Sequence, residues 1–109
     1  VPAFVLIDID VTDPARYEAY KRLSGPAAEK HGGRFVVRGG AVTPLEGAWS
    51  PTRLVVLEFP SVAAARTWYD SPEYAEARRA RAGAADFRAV IVEGVTPPSG
   101  AGSAPGSPR

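Results

Sequence analysis

Residues 3–11, AFVLIDIDV, alternate. Val5, Ile7, Ile9 and Val11 fall on one side, and Phe4, Leu6, Asp8 and Asp10 on the other. A period of two in a β-branched run predicts a strand whose apolar side packs on helices. The opposite side carries two carboxylates, which are not buried without partners, so Asp8 is expected to face solvent or a polar cavity.

The period then changes. Asp13-Pro14 has the form of a helix start, with Asp as cap and Pro at the first helical position. Tyr17, Tyr20, Ser24, Ala27 and His31 follow at spacings of three and four, one helical stripe. Gly25-Pro26 is expected to kink or restart this helix, and Gly32-Gly33 to stop it with a left-handed cap. Arg34–Arg38 reads as a second strand, with Phe35 and Val37 on one face and Arg34, Val36 and Arg38 on the other. Gly39-Gly40 ends or bulges it. Residues 41–52 contain Pro44, Gly47, Trp49 and Pro51 and read as a loop, with strand character at most near Ala41–Leu45. A Trp in such a loop covers a core or a partner subunit; the sharper reading is a ligand lid.

Arg53–Phe59 is nearly all apolar apart from Glu58 and predicts a central strand buried on both faces. Ser61 caps a helix through Tyr69 whose inward stripe is Ala64, Ala65 and Trp68. Ser71 with Pro72 starts another, which runs to Ala82 before Gly83. Phe87–Val95 is the last strand, with Val90 and Val92 on one face and Ala89, Ile91 and Glu93 on the other. The order β α β β α β predicts an α+β, ferredoxin-like domain, one four-stranded antiparallel sheet with its helices on one face. The other face, carrying Leu6 and Val36, is left bare. A bare apolar face is an interaction surface, and the economical cover is a second copy packed sheet against sheet about a two-fold axis.

Composition narrows the classes of function. The domain is expected over residues 1–96. In residues 97–109, PPSGAGSAPGSPR, ten of thirteen are Pro, Gly or Ser, the composition of a flexible tail. A domain this small is marginal alone, which again favours a homodimer. Thirteen basic residues balance twelve acidic ones for a net charge of +1, which argues against a nucleic-acid surface. The basic cluster Arg78, Arg79 and Arg81 reads as a solvated helix face rather than a phosphate site. No apolar run approaches the roughly 18 residues of a membrane span, and no signal-peptide pattern opens the chain, so the expectation is a cytoplasmic protein. With no Cys and one His, thiol chemistry is excluded and a metal site is not expected.

Together the pieces IDIDVTDPARYEAY, GGRFVVRGG, LEGAW, RLVVLEFPSVAAARTWYDSPEY and VIVEGV, spread over residues 1–95, resemble the DUF1330 family of the dimeric α/β-barrel superfamily. The resemblance implies a ferredoxin-like dimeric α/β barrel with a cleft between sheet and helices. It implies no reaction, because the superfamily holds cofactor-independent monooxygenases, isomerases, cyclases, dehydratases and haem enzymes, and fold does not choose among them.

The candidate chemistry is therefore acid–base. Asp8 and Arg38 both fall on the mixed faces of their strands. They read either as charges satisfied separately at a cavity rim or as an acid–base or carboxylate-binding pair lining a pocket. Arg38 suits a carboxylate or enolate through its planar fork. His31 is a general base, or simply a cation at a helix end. Tyr17, Tyr20 and Trp68 wall the pocket, and Gly39 lets a ligand approach the backbone. Tyr74 lies beside the Ser71-Pro72 helix start, a weak anion site in principle. Glu58 and Arg88 interrupt apolar strands and are expected to pair across the sheet. No nucleotide, metal or haem motif is present, so no cofactor is expected. The leading expectation is a small cofactor-independent isomerase, cyclase or dehydratase acting on a small carbonyl-bearing or aromatic metabolite. A non-catalytic dimeric binding or accessory module and a cofactor-free monooxygenase stay open.

Overall fold

The structure, a computed structural model, describes residues 1–95; the expected tail at 97–109 lies outside them. Seven elements follow in order: β1 (Ala3–Val11), α1 (Pro14–Lys30), β2 (Arg34–Arg38), β3 (Arg53–Phe59), α2 (Val62–Tyr69), α3 (Pro72–Arg81) and β4 (Ala85–Glu93). The strands form one antiparallel sheet in the order β2-β3-β1-β4. This is the α+β, ferredoxin-like arrangement read from the sequence.

Local chemistry fixes the element ends. Asp13 accepts a hydrogen bond from the Arg16 N–H at 3.2 Å and caps α1, with Pro14 at its first position. Ser61 accepts from the Ala64 N–H at 3.0 Å and Ser71 from the Tyr74 N–H at 3.1 Å, capping α2 and α3. Each such cap is worth about 1 kcal/mol. The helix α1 ends as expected: Gly32 takes φ 84, its N–H bonds to the Glu29 carbonyl and the Gly33 N–H to the Ala28 carbonyl, a Schellman closure. Pro26 does not restart the helix, which is continuous through it to Lys30; the chain tolerates the one backbone bond that Pro withholds from Arg22.

The core lies between the sheet and the helices. Val5, Ile7 and Ile9 of β1 and Val55, Leu57 and Phe59 of β3 are buried against Tyr17, Tyr20, Ala65, Trp68 and Tyr74. Burying side chains of this size contributes about 1.5–3 kcal/mol each. The β3 strand is central but buried on one face only within a single chain: Leu54 and Val56 are half-buried on the outer face. That outer face also carries Leu6, Val37, Val90 and Val92, all exposed.

The register of β2 differs from the simple alternation. Phe35 pairs with Leu57, but Val37 pairs with Val56 and Arg38 with Val55, so a bulge at Val36 inserts one extra residue. A bulge turns everything beyond it to the other face. Phe35 and Arg38 therefore face the helices and Val37 faces outward. Arg38 and Asp8, expected on the same mixed face, stand on opposite faces of the sheet.

Candidate functional site

The helix face of β2 and β3 meets α1 around a cavity closed below by Trp68. Tyr17, Tyr20, Lys21 and Ser24 come from α1, Phe35 and Arg38 from β2, and Arg53 from β3. Four of the residues expected at a site, Arg38, Tyr17, Tyr20 and Trp68, are thus brought together. The free space is about 10 Å³, room for roughly one water molecule.

Arg53 belongs to this site and was missed in the sequence. The signal was available: it shares the parity of Val55, Leu57 and Phe59, so an inward position of β3 begins with a cation. Its Nε donates to the Tyr17 hydroxyl at 3.2 Å, and its guanidinium carbon lies 5.5 Å from the Tyr17 ring centroid. The Arg38 guanidinium stacks over Phe35 at 4.0 Å. Among the described residues, neither arginine has a carboxylate partner. Lys21 is bonded to Glu18 at 3.1 Å on the exposed side of α1.

Gly39 does not leave its space for a ligand, as the sequence suggested. It takes φ 77, and the position a Cβ would occupy is filled by the Arg53 guanidinium. Gly39 is needed so that Arg53 can cross to Tyr17.

The two tyrosines differ. The Tyr17 oxygen accepts from Arg53, which leaves its own proton to be donated elsewhere. The Tyr20 hydroxyl is bonded to the Tyr74 hydroxyl at 2.7 Å in the interior. Burial pushes both the Tyr20 and the Tyr74 phenols above their ordinary range. Tyr74, expected at a helix start that binds anions, is instead 1% exposed and structural, since its ring also packs on Trp68 at 4.3 Å between centroids.

Asp8 and His31 do not reach this cavity. Asp8 lies on the outer face, where its Oδ2 accepts from the Trp49 indole N–H at 3.0 Å and its Oδ1 stands 3.2 Å from the Arg88 guanidinium. Arg88 also bonds to Asp10 at 3.2 Å, and Thr52 donates to Asp10 at 2.8 Å. The Thr52 and Arg88 bonds hold the Asp10 carboxyl below its ordinary range. Trp49, 60% exposed, closes one end of an outer-face groove formed with Leu6, Leu54, Val56 and Val90. The expected Glu58–Arg88 pair does not form. Glu58 bonds to Arg34 across β2 and β3 at 2.7 Å, because the register sets those two opposite.

His31 caps the C-terminal end of α1 and turns to α3, with its Nε2 3.2 Å from Glu73 Oε1. Lys30 donates to the other Glu73 oxygen at 2.7 Å. The Lys30 bond, then the His31 bond, lower the Glu73 carboxyl to about 2. The stripe shared with Tyr17 and Tyr20 ends before His31, which lies over the last turn.

Of the basic cluster on α3, Arg79 alone is exposed, while Arg81 lies over Phe87 at 3.7 Å and Arg78 over Tyr69 at 4.8 Å. The solvated-face reading thus fails for Arg78 and Arg81. Among the described residues, no group of three His, Asp or Glu side chains is placed to hold a metal ion, and no helix is long and apolar enough to cross a membrane.

The model of a family described as "Domain of unknown function (DUF1330)" matches residues 2–95. A crystal structure of a protein of unknown function from Rhodopseudomonas palustris is similar, with 29% identity and a TM-score of 0.70 over 88% of this chain and 84% of that one. A putative antibiotic biosynthesis monooxygenase from Nitrosomonas europaea shares the fold at 16% identity and a TM-score of 0.54, over 90% of this chain and 94% of that one. No curated protein matches the chain.

Proposed function

The chain belongs to the DUF1330 family, and on that premise we propose that it is a homodimeric protein that takes a small carboxylate- or enolate-bearing metabolite between α1, β2 and β3. The observation that carries this reading is the pair Arg38 and Arg53. Both reach one largely apolar cavity and neither meets a carboxylate among the described residues. Charge left unpaired beside a buried wall is matched best by an anion from outside, and a guanidinium offers it two parallel bonds. Arg38 and Lys21 line the cavity with long, flexible stems, which can swing aside to admit a molecule larger than the resting space.

The chemistry that this arrangement supports is polarisation of a carbonyl. Arg53 donates to the Tyr17 oxygen, so a developing oxyanion beside Tyr17 receives the phenol proton or a short hydrogen bond, with the guanidinium stabilising the charge behind it. Keto–enol isomerisation, aldol-type cyclisation and dehydration β to a carbonyl proceed through such an enolate. This is the cofactor-independent reading, with Tyr17 as the proton donor and neither Asp8 nor His31 lining the cavity. One observation favours the second reading, a binding module: among the described residues no carboxylate or imidazole lines the cavity to remove a proton from carbon. Oxygen chemistry has no comparable support, since the similarity to the Nitrosomonas protein extends to fold alone.

Solvent deuterium exchange tests both readings. Phenylpyruvate is incubated with the protein in deuterium oxide and its α-hydrogens are followed by NMR. Exchange accelerated by the wild type and lost in Tyr17→Phe and Arg53→Gln supports the enzyme. Saturable binding without accelerated exchange supports the module. Absence of binding by phenylpyruvate, benzoate and short oxo acids overturns the site.

The dimer rests on the outer face. Leu6, Val37, Val90 and Val92 are exposed there, Val90 at 60%, with Leu54 and Val56 between them. An apolar sheet face opposite the helix layer is self-complementary about a two-fold axis. The Asp8–Arg88–Asp10 cluster lies at one end of it, two carboxylates sharing one guanidinium, so a net negative charge stays at that end.

A further inference from the structure

We propose a second binding compartment on the other side of Trp68, for a flat aromatic molecule that carries a carboxylate or carbonyl oxygen. A chamber of about 220 Å³ lies between α2, α3 and the β1–β4 pair. Its walls include the rings of Trp68, Tyr69, Tyr74 and Phe87, with Arg81 among them. Ile7 and Trp68 line both this chamber and the Arg38 cavity, so they form the partition, and neither Arg38 nor Arg53 reaches the second space.

The chamber is rich in donors and poor in acceptors. Trp68 is 2% exposed and its indole N–H is buried with no partner among the described residues. The Nε of Arg81 is likewise buried without one, while its guanidinium lies 3.7 Å over Phe87 and 5.7 Å from the Tyr20 centroid. The Tyr74 hydroxyl is already engaged with Tyr20. Among the described residues no carboxylate lines the space. A buried donor is costly unless some oxygen meets it. The lining mixes polar atoms with ring and aliphatic carbon in comparable measure. A planar acid satisfies both demands. Its ring stacks among Tyr69, Tyr74 and Phe87, and its oxygens accept from the Trp68 and Arg81 donors.

The test uses the full chain in a Trp49→Phe background, so that Trp68 gives the single indole N–H resonance. The probe is 2-naphthoate, with cyclohexanecarboxylate as the acid that is not flat. The expected result is a saturable shift of the Trp68 resonance by 2-naphthoate, tenfold or more weaker with cyclohexanecarboxylate. Arg81→Gln weakens it at least tenfold, and Arg38→Gln leaves it unchanged. Arg81→Lys, which keeps the charge but loses the planar fork, gives the same reading where the Gln variant fails to fold. A Trp68 resonance that does not move, as for a chamber holding water alone, overturns the proposal. So does a shift that never saturates. A shift lost in Arg38→Gln places the ligand in the first cavity and overturns the second compartment while leaving the first intact.

Discussion

The guanidinium of Arg53 occupies the space that a side chain at position 39 would fill, and Gly39 is held at φ 77 to let it pass. Gly39→Ala therefore meets two penalties, a left-handed backbone and a displaced arginine. We expect a loss of more than about 1 kcal/mol in urea denaturation. Benzoate affinity should fall about tenfold or more, because the charged bond to Tyr17 is lost with the arginine's position. Wild-type affinity in Gly39→Ala refutes the role given to Arg53.

The bond between the Tyr20 and Tyr74 hydroxyls joins α1 to α3 in the interior. Tyr20→Phe or Tyr74→Phe alone leaves one buried hydroxyl unpaired, which costs about 1–3 kcal/mol. Removing both is expected to recover most of that loss. A double-mutant cycle by chemical denaturation reads the coupling directly; additive losses show that the two hydroxyls act independently.

Glu73 carries a stability change with pH. Its folded value, about 2, lies below the ordinary 4.5. A carboxyl depressed in this way stabilises the fold above 4.5, and the contribution is lost as pH falls from 4.5 toward 2, where the unfolded chain binds the extra proton. Asp10, also lowered, adds to the same acid loss. Denaturation midpoints across pH 2–6 should fall steeply below about 4.5 in the wild type and less steeply in Glu73→Gln. Salt should shrink the difference, since Lys30 and Glu73 are both solvent-facing. Identical profiles exclude this ion pair as a source of acid sensitivity.

Val90 lies midway along the edge strand β4 on the outer face, opposite Leu6 of β1. Val90→Glu places a charge where a second copy is expected to pack. Light scattering should report a monomer for this variant and a dimer for the wild type, with the melting temperature lowered in the variant. A wild type that is monomeric at micromolar concentration removes the dimer from the proposed function.

Much of the fold was legible because its signals are local. Asp13, Ser61 and Ser71 cap within three residues of themselves, and the alternation of β1 assigns its faces without reference to the rest of the chain. The site was legible in part. Tyr17, Tyr20 and Trp68 follow helical spacing and reach the cavity. Arg38 reaches it for a reason that the sequence hides: Phe35, Val36 and Val37 are all apolar, so nothing marks which one is the inserted residue. Partner choice was the least legible. Glu58 meets Arg34 rather than Arg88, and Tyr20 meets Tyr74 across 54 positions, because such pairings depend on register and helix docking.

Because the bulge turns Arg38 toward the helices, the sheet separates unlike charge at one end. Arg38 and Arg53 stand on one side, while Asp8 and Asp10, only partly offset by Arg88, stand on the other. The local field then runs across the sheet rather than along it. A negatively charged solute is drawn to the cleft side and turned away from the far side before it touches either. One added residue in a five-residue strand thus places the second of the two cations on the cleft side.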